Sequence, residues 1–283
     1  MTLPIVLSYV QAEPLLQARR EGRRSARASP DLGLSTVEVA LDEDGARFPG
    51  GVTVGWPDLE RIARSRTKCF LVEGDAPPRD IQVFSETTNW LRSLMPTRAA
   101  PTMLVSGTPM HRIKGTDPWQ DTLTKVRALA PVTGEVLDTA TGLGYTAIAA
   151  AESAARVVTV ELDPAALAVA RLNPWSRALF DNPRIEQVVG DVGEVILDFP
   201  DGAFSRVLHD PPMFSLAGDL YSGAFYRQLY RVLRRGGRLF HYIGDLESKS
   251  GQGIVRGVER RLRESGFTRV TRRPEAFGVL AVK

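Results

Sequence analysis

From about residue 134 onward, apolar runs and amphipathic stretches alternate along the chain. EVLDTA (135–140) is a short apolar run that predicts a strand, followed by a TGLG turn and a helix over 145–155. RVVTVEL (156–162) predicts a second strand, and PAALAVARLN (164–173) a helix opened by Pro164, whose fixed φ suits a first turn. RIEQVVGD (184–191), GEVILDF (193–199) and FSRVLHD (204–210) repeat the alternation. A helix over 224–233 ends at Gly236-Gly237, and RLFHYIG (238–244) reads as the next strand. A helix over 254–265 precedes the strand-like TRVTRR (268–273) and GVLAVK (278–283). Strands separated by helices predict a mostly parallel sheet covered on both faces. The RRPEAFG link between the last two strands is too short for a parallel crossover, so these pair as an antiparallel hairpin at the sheet edge.

The first hundred residues follow a different pattern. A basic stretch over 15–27 predicts a helix, and STVEVAL, DEDG and GGVTVGW (within 35–56) predict strand, turn and strand. PDLERIARS (57–65) carries helix-start chemistry at Pro57 and Asp58, and KCFLVEG (68–74) reads as another strand. The expected organisation is a small α+β domain over 1–105, a candidate for substrate recognition, and an α/β domain with a Rossmann-like sheet over 106–283.

Composition narrows the picture only a little. With 43% hydrophobic and 24% charged residues the chain is ordinary for a globular protein. It has no apolar run of about 18 residues, and its start lacks a basic leader and a small-residue cleavage site, so a cytoplasmic location is expected. One cysteine, Cys69, and three histidines argue against a disulfide framework or a metal centre. Charge is more informative. Residues 135–226 hold five Lys/Arg against thirteen Asp/Glu, whereas 227–283 hold fourteen against five. A basic tail beside an acidic middle is compatible with a polyanionic partner, and the Arg234-Arg235 and Arg260-Arg261 pairs are candidate phosphate contacts.

Ligands of such sheets bind beyond the carboxyl ends of the strands. Four strand ends carry chemistry here. Asp138-Thr139-Ala140-Thr141-Gly142-Leu143-Gly144 is a turn whose glycines let backbone approach a ligand closely. Glu161 ends the second strand, about 20 residues on, and suits bidentate hydrogen bonding to ribose hydroxyls. Asp191 ends the third and could accept from an adenine amino group. A glycine loop alone is shared with nicotinamide enzymes; the ordered set of loop, acid and acid is more specific. Over residues 112–283 it resembles the class I S-adenosylmethionine-dependent methyltransferases, with Ala140 standing where many members carry a first glycine. The resemblance implies S-adenosylmethionine as cofactor. It also implies contacts from Asp138 to Gly142, Gly144, Tyr145, Glu161, Leu162, Asp191, Val192 and Asp210.

The fourth strand ends in His209-Asp210-Pro211-Pro212-Met213-Phe214. Two prolines fix the backbone and remove two N–H donors, leaving carbonyls free. A planar NH₂ group offers two hydrogens; accepting both, through the Asp210 carboxylate and the Pro211 carbonyl, directs its lone pair at an incoming methyl group. The segment resembles the (Asp/Asn)-Pro-Pro-(aromatic) motif of methyltransferases acting on adenine N6, cytosine N4 or glutamine side chains. Met213 departs from the motif at its fourth position, and Met213 or Phe214 is expected to stack on the substrate. Asp210, Pro211, Pro212 and Phe214 are the candidate catalytic group. Met213, Phe214, Tyr221, His111 and Lys114 are candidates for substrate binding.

HRIKGTDPWQDT (111–122), ARLNPWSRALF (170–180) and the stretch 209–244 are similar to an archaeal methyltransferase family implicated in cytidine N4 methylation of ribosomal RNA. This resemblance implies an RNA partner. Two rivals use the same fold: an aminopropyltransferase, which the acidic middle segment would suit, and a protein glutamine N5-methyltransferase. A non-catalytic nucleic-acid-binding module leaves the cofactor constellation unexplained. Cytosine C5 methylation needs a thiolate nucleophile, and Cys69 lies outside this half.

Overall fold

The computed structural model describes residues 4–74 and 76–283 and divides into two compact units. Residues 1–3, the start of the segment read above for a leader, lie outside the described residues. The first unit comprises 1–119 with 165–177, and the second 120–164 with 178–283.

The first unit is built from small antiparallel sheets. It contains β1 (Ile5–Leu7), α1 (Tyr9–Arg20), β2 (Ser25–Ala28), β3 (Val37–Leu41), β4 (Gly45–Arg47), β5 (Thr53–Gly55) and α2 (Trp56–Arg64). β6 (Phe70–Val72), β7 (Arg79–Asp80), β8 (Gln82–Ser85), β9 (Trp90–Met95), β10 (Thr102–Val105) and β11 (Thr108–Pro109) follow. The sheet orders are β2-β3-β4-β5, β1-β6-β7 and β11-β10-β9-β8. Leu15, Phe48, Leu59, Ile62 and Phe70 fill a shared core. The helix expected over 15–27 spans 9–20 instead. Gly22 adopts a left-handed φ of 69°, Arg23 N donates back to Ala18 O at 3.0 Å, and the chain turns into β2. The arginines of 19–27 are thus divided between a helix end and a strand.

The second unit starts within α3 (Pro118–Leu129), and contains β12 (Glu135–Asp138), α4 (Tyr145–Ala151) and β13 (Arg156–Glu161). α5 (Pro164–Leu172) lies almost wholly in the first unit, and α6 (Arg177–Asp181) brings the chain back to the second. β14 (Ile185–Val189), α7 (Val192–Asp198), β15 (Phe204–His209), α8 (Gly223–Val232), β16 (Leu233–Tyr242), α9 (Lys249–Glu264), β17 (Arg269–Arg273) and β18 (Gly278–Val282) complete the chain. The sheet order is β14-β13-β12-β15-β16-β18-β17. β12–β16 run parallel, and β18 lies antiparallel between β16 and β17. This is the mostly parallel Rossmann-like sheet with an antiparallel terminal hairpin that the apolar pattern predicts. Every residue of β15 is buried, as expected for a central strand covered on both faces. Leu137, Val158, Val207 and Leu239 from the strands pack with Tyr226 and Leu229 of α8 and with Val255, Val258 and Leu262 of α9. Burying each such side chain contributes roughly 1.5–3 kcal/mol.

Two boundaries differ from the pattern. α8 ends at Val232, and β16 begins at once, running through Gly236 and Gly237. Gly236 takes φ 73° at a register shift against β15, so these glycines make a bulge rather than a helix stop. α9 begins at Lys249, because Ser248 caps it by accepting from Gly251 N at 3.0 Å.

Candidate active site

The strand order reverses beside β12, whose neighbours are β13 on one side and β15 on the other. The crevice beyond the carboxyl ends of these strands is where such a sheet receives a ligand. Four acids stand there on four adjacent strands, in the spatial order Asp191, Glu161, Asp138, Asp210. The register supports this: Asp138 pairs with Thr159 and Leu208, and Glu161 with Val189. At about 4.8 Å between strands, the row is about 14 Å long.

Asp138 is fully buried at the end of β12. Its Oδ2 accepts from the Thr146 and Thr159 hydroxyls at 3.0 and 2.9 Å. Thr159 spends its proton on Asp138, so the Thr141 hydroxyl, 2.7 Å away, donates to Thr159. Oδ1 of Asp138 has no hydrogen-bond partner among the described residues. Burial pushes this carboxyl up to about 7, against the pull of the two threonines, and the Asp210 and Glu161 charges add to the rise.

The loop that follows is tightly held. Glu161 accepts from Gly142 N at 2.7 Å through one oxygen and from Asp163 N at 3.0 Å through the other. Gly142 has φ 53° and Gly144 φ 77°, values that favour glycine, and a Cβ on Gly144 would come within 2.6 Å of Leu179. Thr139 and Thr141 are buried, Ala140 is half-buried, and Tyr145 is buried at the start of α4. Leu162 is exposed just past Glu161. Asp191 caps α7 by accepting from Gly193 N at 2.7 Å through Oδ1, with Val192 buried behind it. A buried carboxylate oxygen lacking a donor, glycines beneath it, and two further acids along the row fit S-adenosylmethionine. Asp138 would face its ammonium, Glu161 its ribose, and Asp191 with Leu162 its adenine.

Asp210 follows β15 and is held by a residue the sequence reading did not single out. Lys125 of α3 donates to Asp210 Oδ2 at 2.7 Å and lies 2.9 Å from Asp121 Oδ2, with its side chain only 3% exposed. Its ammonium also sits over the Tyr242 ring, 4.2 Å from the centroid. Burial would lower the lysine, but the two carboxylates outweigh it and hold the group above its ordinary value. Burial raises Asp210, and Lys125 opposes that rise. Lys125 therefore fixes one carboxylate oxygen of Asp210 and does not engage the other.

The turn itself is braced from behind. The buried Tyr221 hydroxyl donates to Pro212 O at 3.1 Å, and burial pushes its pKa up, so it keeps its proton. Arg261 Nε donates to Tyr221 O at 2.8 Å. His209 Nε2 faces the Leu220 carbonyl at 3.0 Å and must carry the proton, so Nδ1 accepts from the Thr139 hydroxyl at 2.7 Å. Burial pushes His209 down to about 3, so it is neutral. His241, its ring tilted 48° to that of His209 with the centroids 4.4 Å apart, is likewise lowered by burial and bonds the Tyr226 hydroxyl at 2.9 Å. Pro211 is buried, whereas Met213 and Phe214 are 55% and 46% exposed. Phe214 meets Tyr221 edge-on at 5.3 Å.

The structure thus gathers Asp138, Glu161, Asp191, Asp210, the Pro-Pro turn and Tyr221 at one end of one sheet. His111 and Lys114 belong to the first unit. There His111 Nδ1 lies 3.0 Å from the Thr102 hydroxyl, and Lys114 is exposed. In the sequence Asp121 and Lys125 show only as an i, i+4 pair of opposite charge on one helix. The structure buries both on α3 with Thr122 and Leu129, and charged residues at core positions of a helix call for a partner.

A methyltransferase-domain model matches residues 136–237, which contain the glycine loop, Glu161, Asp191 and the Asp-Pro-Pro turn. The uncharacterized protein MJ1233 of Methanocaldococcus jannaschii is 44% identical over 291 aligned residues, covering 100% of this chain and 98% of the relative. A demethylmenaquinone methyltransferase of Clavibacter sepedonicus is 36% identical over 114 residues, 40% of this chain and 42% of its own. A solved spermidine synthase in complex with the transition-state analogue AdoDATO aligns over 71% of this chain and 72% of its own. Its TM-score is 0.58 and its identity 17%, a likeness of fold alone. The chain belongs to the family of the Methanocaldococcus jannaschii protein and carries the methyltransferase domain of a class I S-adenosylmethionine-dependent methyltransferase.

Proposed function

We propose that this enzyme methylates an exocyclic amino group of a nucleobase, cytidine N4 in ribosomal RNA. The observation that carries the reading is the Asp210-Pro211-Pro212 turn, with Lys125 clamping Asp210 Oδ2 and Tyr221 clamping the Pro212 carbonyl. One Asp210 oxygen and the Pro211 carbonyl remain to accept the two hydrogens of a planar NH₂. S-adenosylmethionine supplies the electrophilic methyl group. As positive charge grows on the nitrogen, both acceptors bind it more strongly than they bind the ground state. A carboxylate raised by burial is well placed to take the departing proton. Met213 and Phe214, exposed beside the turn, suit a base extruded from its stack.

The test mixes purified protein with methyl-labelled cofactor and unmodified ribosomal RNA, and analyses the nucleosides by mass spectrometry. Label in N4-methylated cytidine is expected; label elsewhere, or none, refutes the assignment.

A second reading, aminopropyl transfer, draws on the likeness to spermidine synthase and on the four carboxylates Asp121, Asp138, Glu161 and Asp210. Lys125 weighs against it, since a buried ammonium at the turn repels a polyamine. Calorimetric preference for decarboxylated S-adenosylmethionine would favour this alternative.

A further inference from the structure

The basic tail does not surround the row of acids; it collects on one face at the antiparallel edge of the sheet. Register places Arg238, Val282 and Arg269 side by side across β16, β18 and β17, then Phe240, Leu280 and Thr271, then Tyr242, Gly278 and Arg273. The alternate residues Leu239, Val279, Ala281 and Val270 belong to the core with α8 and α9, so the arginine rows face the opposite side, the side of α3. There α3 and the hairpin enclose an open cleft of 460 Å³, with Arg127 and Thr124 on one wall, Arg238 and Leu280 at its base, and Arg273 and Glu275 on the other wall.

The charge in this cleft is unbalanced. Among the described residues, the three arginines that line it, Arg127, Arg238 and Arg273, enter no ion pair, although Arg238 donates through Nη1 to the Ala130 carbonyl. Arg206 lies buried in the next strand, outside the cleft lining, and among the described residues donates to the carbonyls of Pro131 and Ser205. Burial and the nearby Arg238 and Arg234 charges depress its pKa. Elsewhere on this unit some arginines find carboxylates, as Arg156 does with Glu135 and Glu186 and Arg272 with Glu259. Others, such as Arg256 and Arg263, stand singly on α9 among the described residues. The cleft differs in gathering three guanidinium groups in one cavity with Glu275 as its one lining carboxylate. A patch that leaves several guanidinium groups without carboxylates is built for an external anion.

We propose that this cleft grips the phosphodiester backbone of the RNA strand flanking the target nucleotide. The inference rests on the proposed RNA substrate and extends it to a second contact site. The distance suits the role. Tyr242, beneath Lys125, lies two strand spacings from Arg273, about 10 Å across the sheet. Flanking phosphates of a strand whose base occupies the Asp-Pro-Pro turn therefore reach Arg273 and Arg127. Three arginines with no fixed row of base-reading groups give affinity and register rather than sequence choice.

The test compares wild type, R127Q/R273Q and R256Q/R263Q for binding of a ribosomal RNA fragment between 50 and 200 mM salt, by fluorescence anisotropy. Arg256 and Arg263 are exposed on α9, on the other face, so that variant removes equal charge from outside the cleft. Calorimetric binding of S-adenosylmethionine reports folding in each case. For R127Q/R273Q the expected result is at least about a tenfold weaker Kd at 50 mM salt. The slope of log K against log salt should be shallower by about 1.4, from roughly 0.7 per phosphate on single strands. R256Q/R263Q should match wild type. An unchanged slope in R127Q/R273Q, or equal losses in both variants, overturns the cleft while leaving the methyl-transfer reading intact. A wild-type protein that neither binds nor labels RNA overturns both.

Discussion

Lys125 offers the sharpest test of how the site is held together. Replacing it with methionine keeps most of the aliphatic stem but removes the cation between Asp121 and Asp210, which lie 2.9 and 2.7 Å from the ammonium. Removing one partner of a buried ion pair leaves uncompensated charge and costs about 3–5 kcal/mol. K125M should therefore lose stability of that order in urea denaturation of the full chain. The functional effect is separable from the structural one. Asp210 is already raised by burial, and the lysine is what opposes that rise. An opposite charge at this range lowers a carboxyl pKa by about 1–3 units, so its removal should move the acid limb of the methyl-transfer pH profile upward by that amount. Activity would then be lost at pH values where wild type is still active. The double variant D121N/K125M removes one charge of each sign and should recover part of the lost stability, giving a double-mutant cycle. A folded K125M with an acid limb unmoved from wild type would refute the view that Lys125 sets the state of Asp210.

Other expectations follow from the same geometry. Asp138 has a folded pKa of about 7 against an ordinary value of 3.8, so it contributes stability below about pH 4 that is lost as pH rises to about 7. D138N mimics the protonated acid and should flatten the urea-midpoint profile across that window; a profile with the wild-type slope would exclude Asp138 as its source. Because the ammonium of S-adenosylmethionine favours the ionised acid, cofactor affinity in calorimetry should rise between pH 6 and 8 in wild type and stay flat in D138N. D210A should lose methyl transfer by at least about a hundredfold, the scale of one acid–base group, while calorimetry still detects cofactor binding. Substantial residual turnover would remove Asp210 from its role. Y221F deletes the hydroxyl on Pro212 O, a hydrogen bond worth about 0.5–1.5 kcal/mol, and should reduce kcat about two- to tenfold with little change in cofactor affinity.

The parts of this molecule written in local pattern could be read without coordinates. Alternating apolar runs predicted the strand series, and the short RRPEAFG link alone argued for the terminal hairpin. The acids at 138, 161, 191 and 210 could be placed because each closes a strand. The helix end at 20 and the strand start at 233 were misread, since Gly22 and Gly236 both take left-handed φ but one stops a helix and the other makes a bulge inside a strand. Nothing in composition separates those uses. Lys125 was missed for a different reason: a lysine four residues from an aspartate normally reads as a solvated helix pair, and only the packing of α3 over Tyr242 buries it.

The row of acids has a consequence for how this fold can change over time. Its spacing is a property of backbone hydrogen bonding between neighbouring strands, so side-chain substitutions in the core can erode stability without altering which atoms of a cofactor are met. The segment after Asp210 lies outside that ladder, and Met213, Phe214 and Leu216 are exposed there. On the proposed reading, cofactor contacts are thus inherited with the sheet, while the proposed substrate contacts rest on a short loop that can be rewritten. Relatives sharing this frame can diverge in what they methylate at little structural cost.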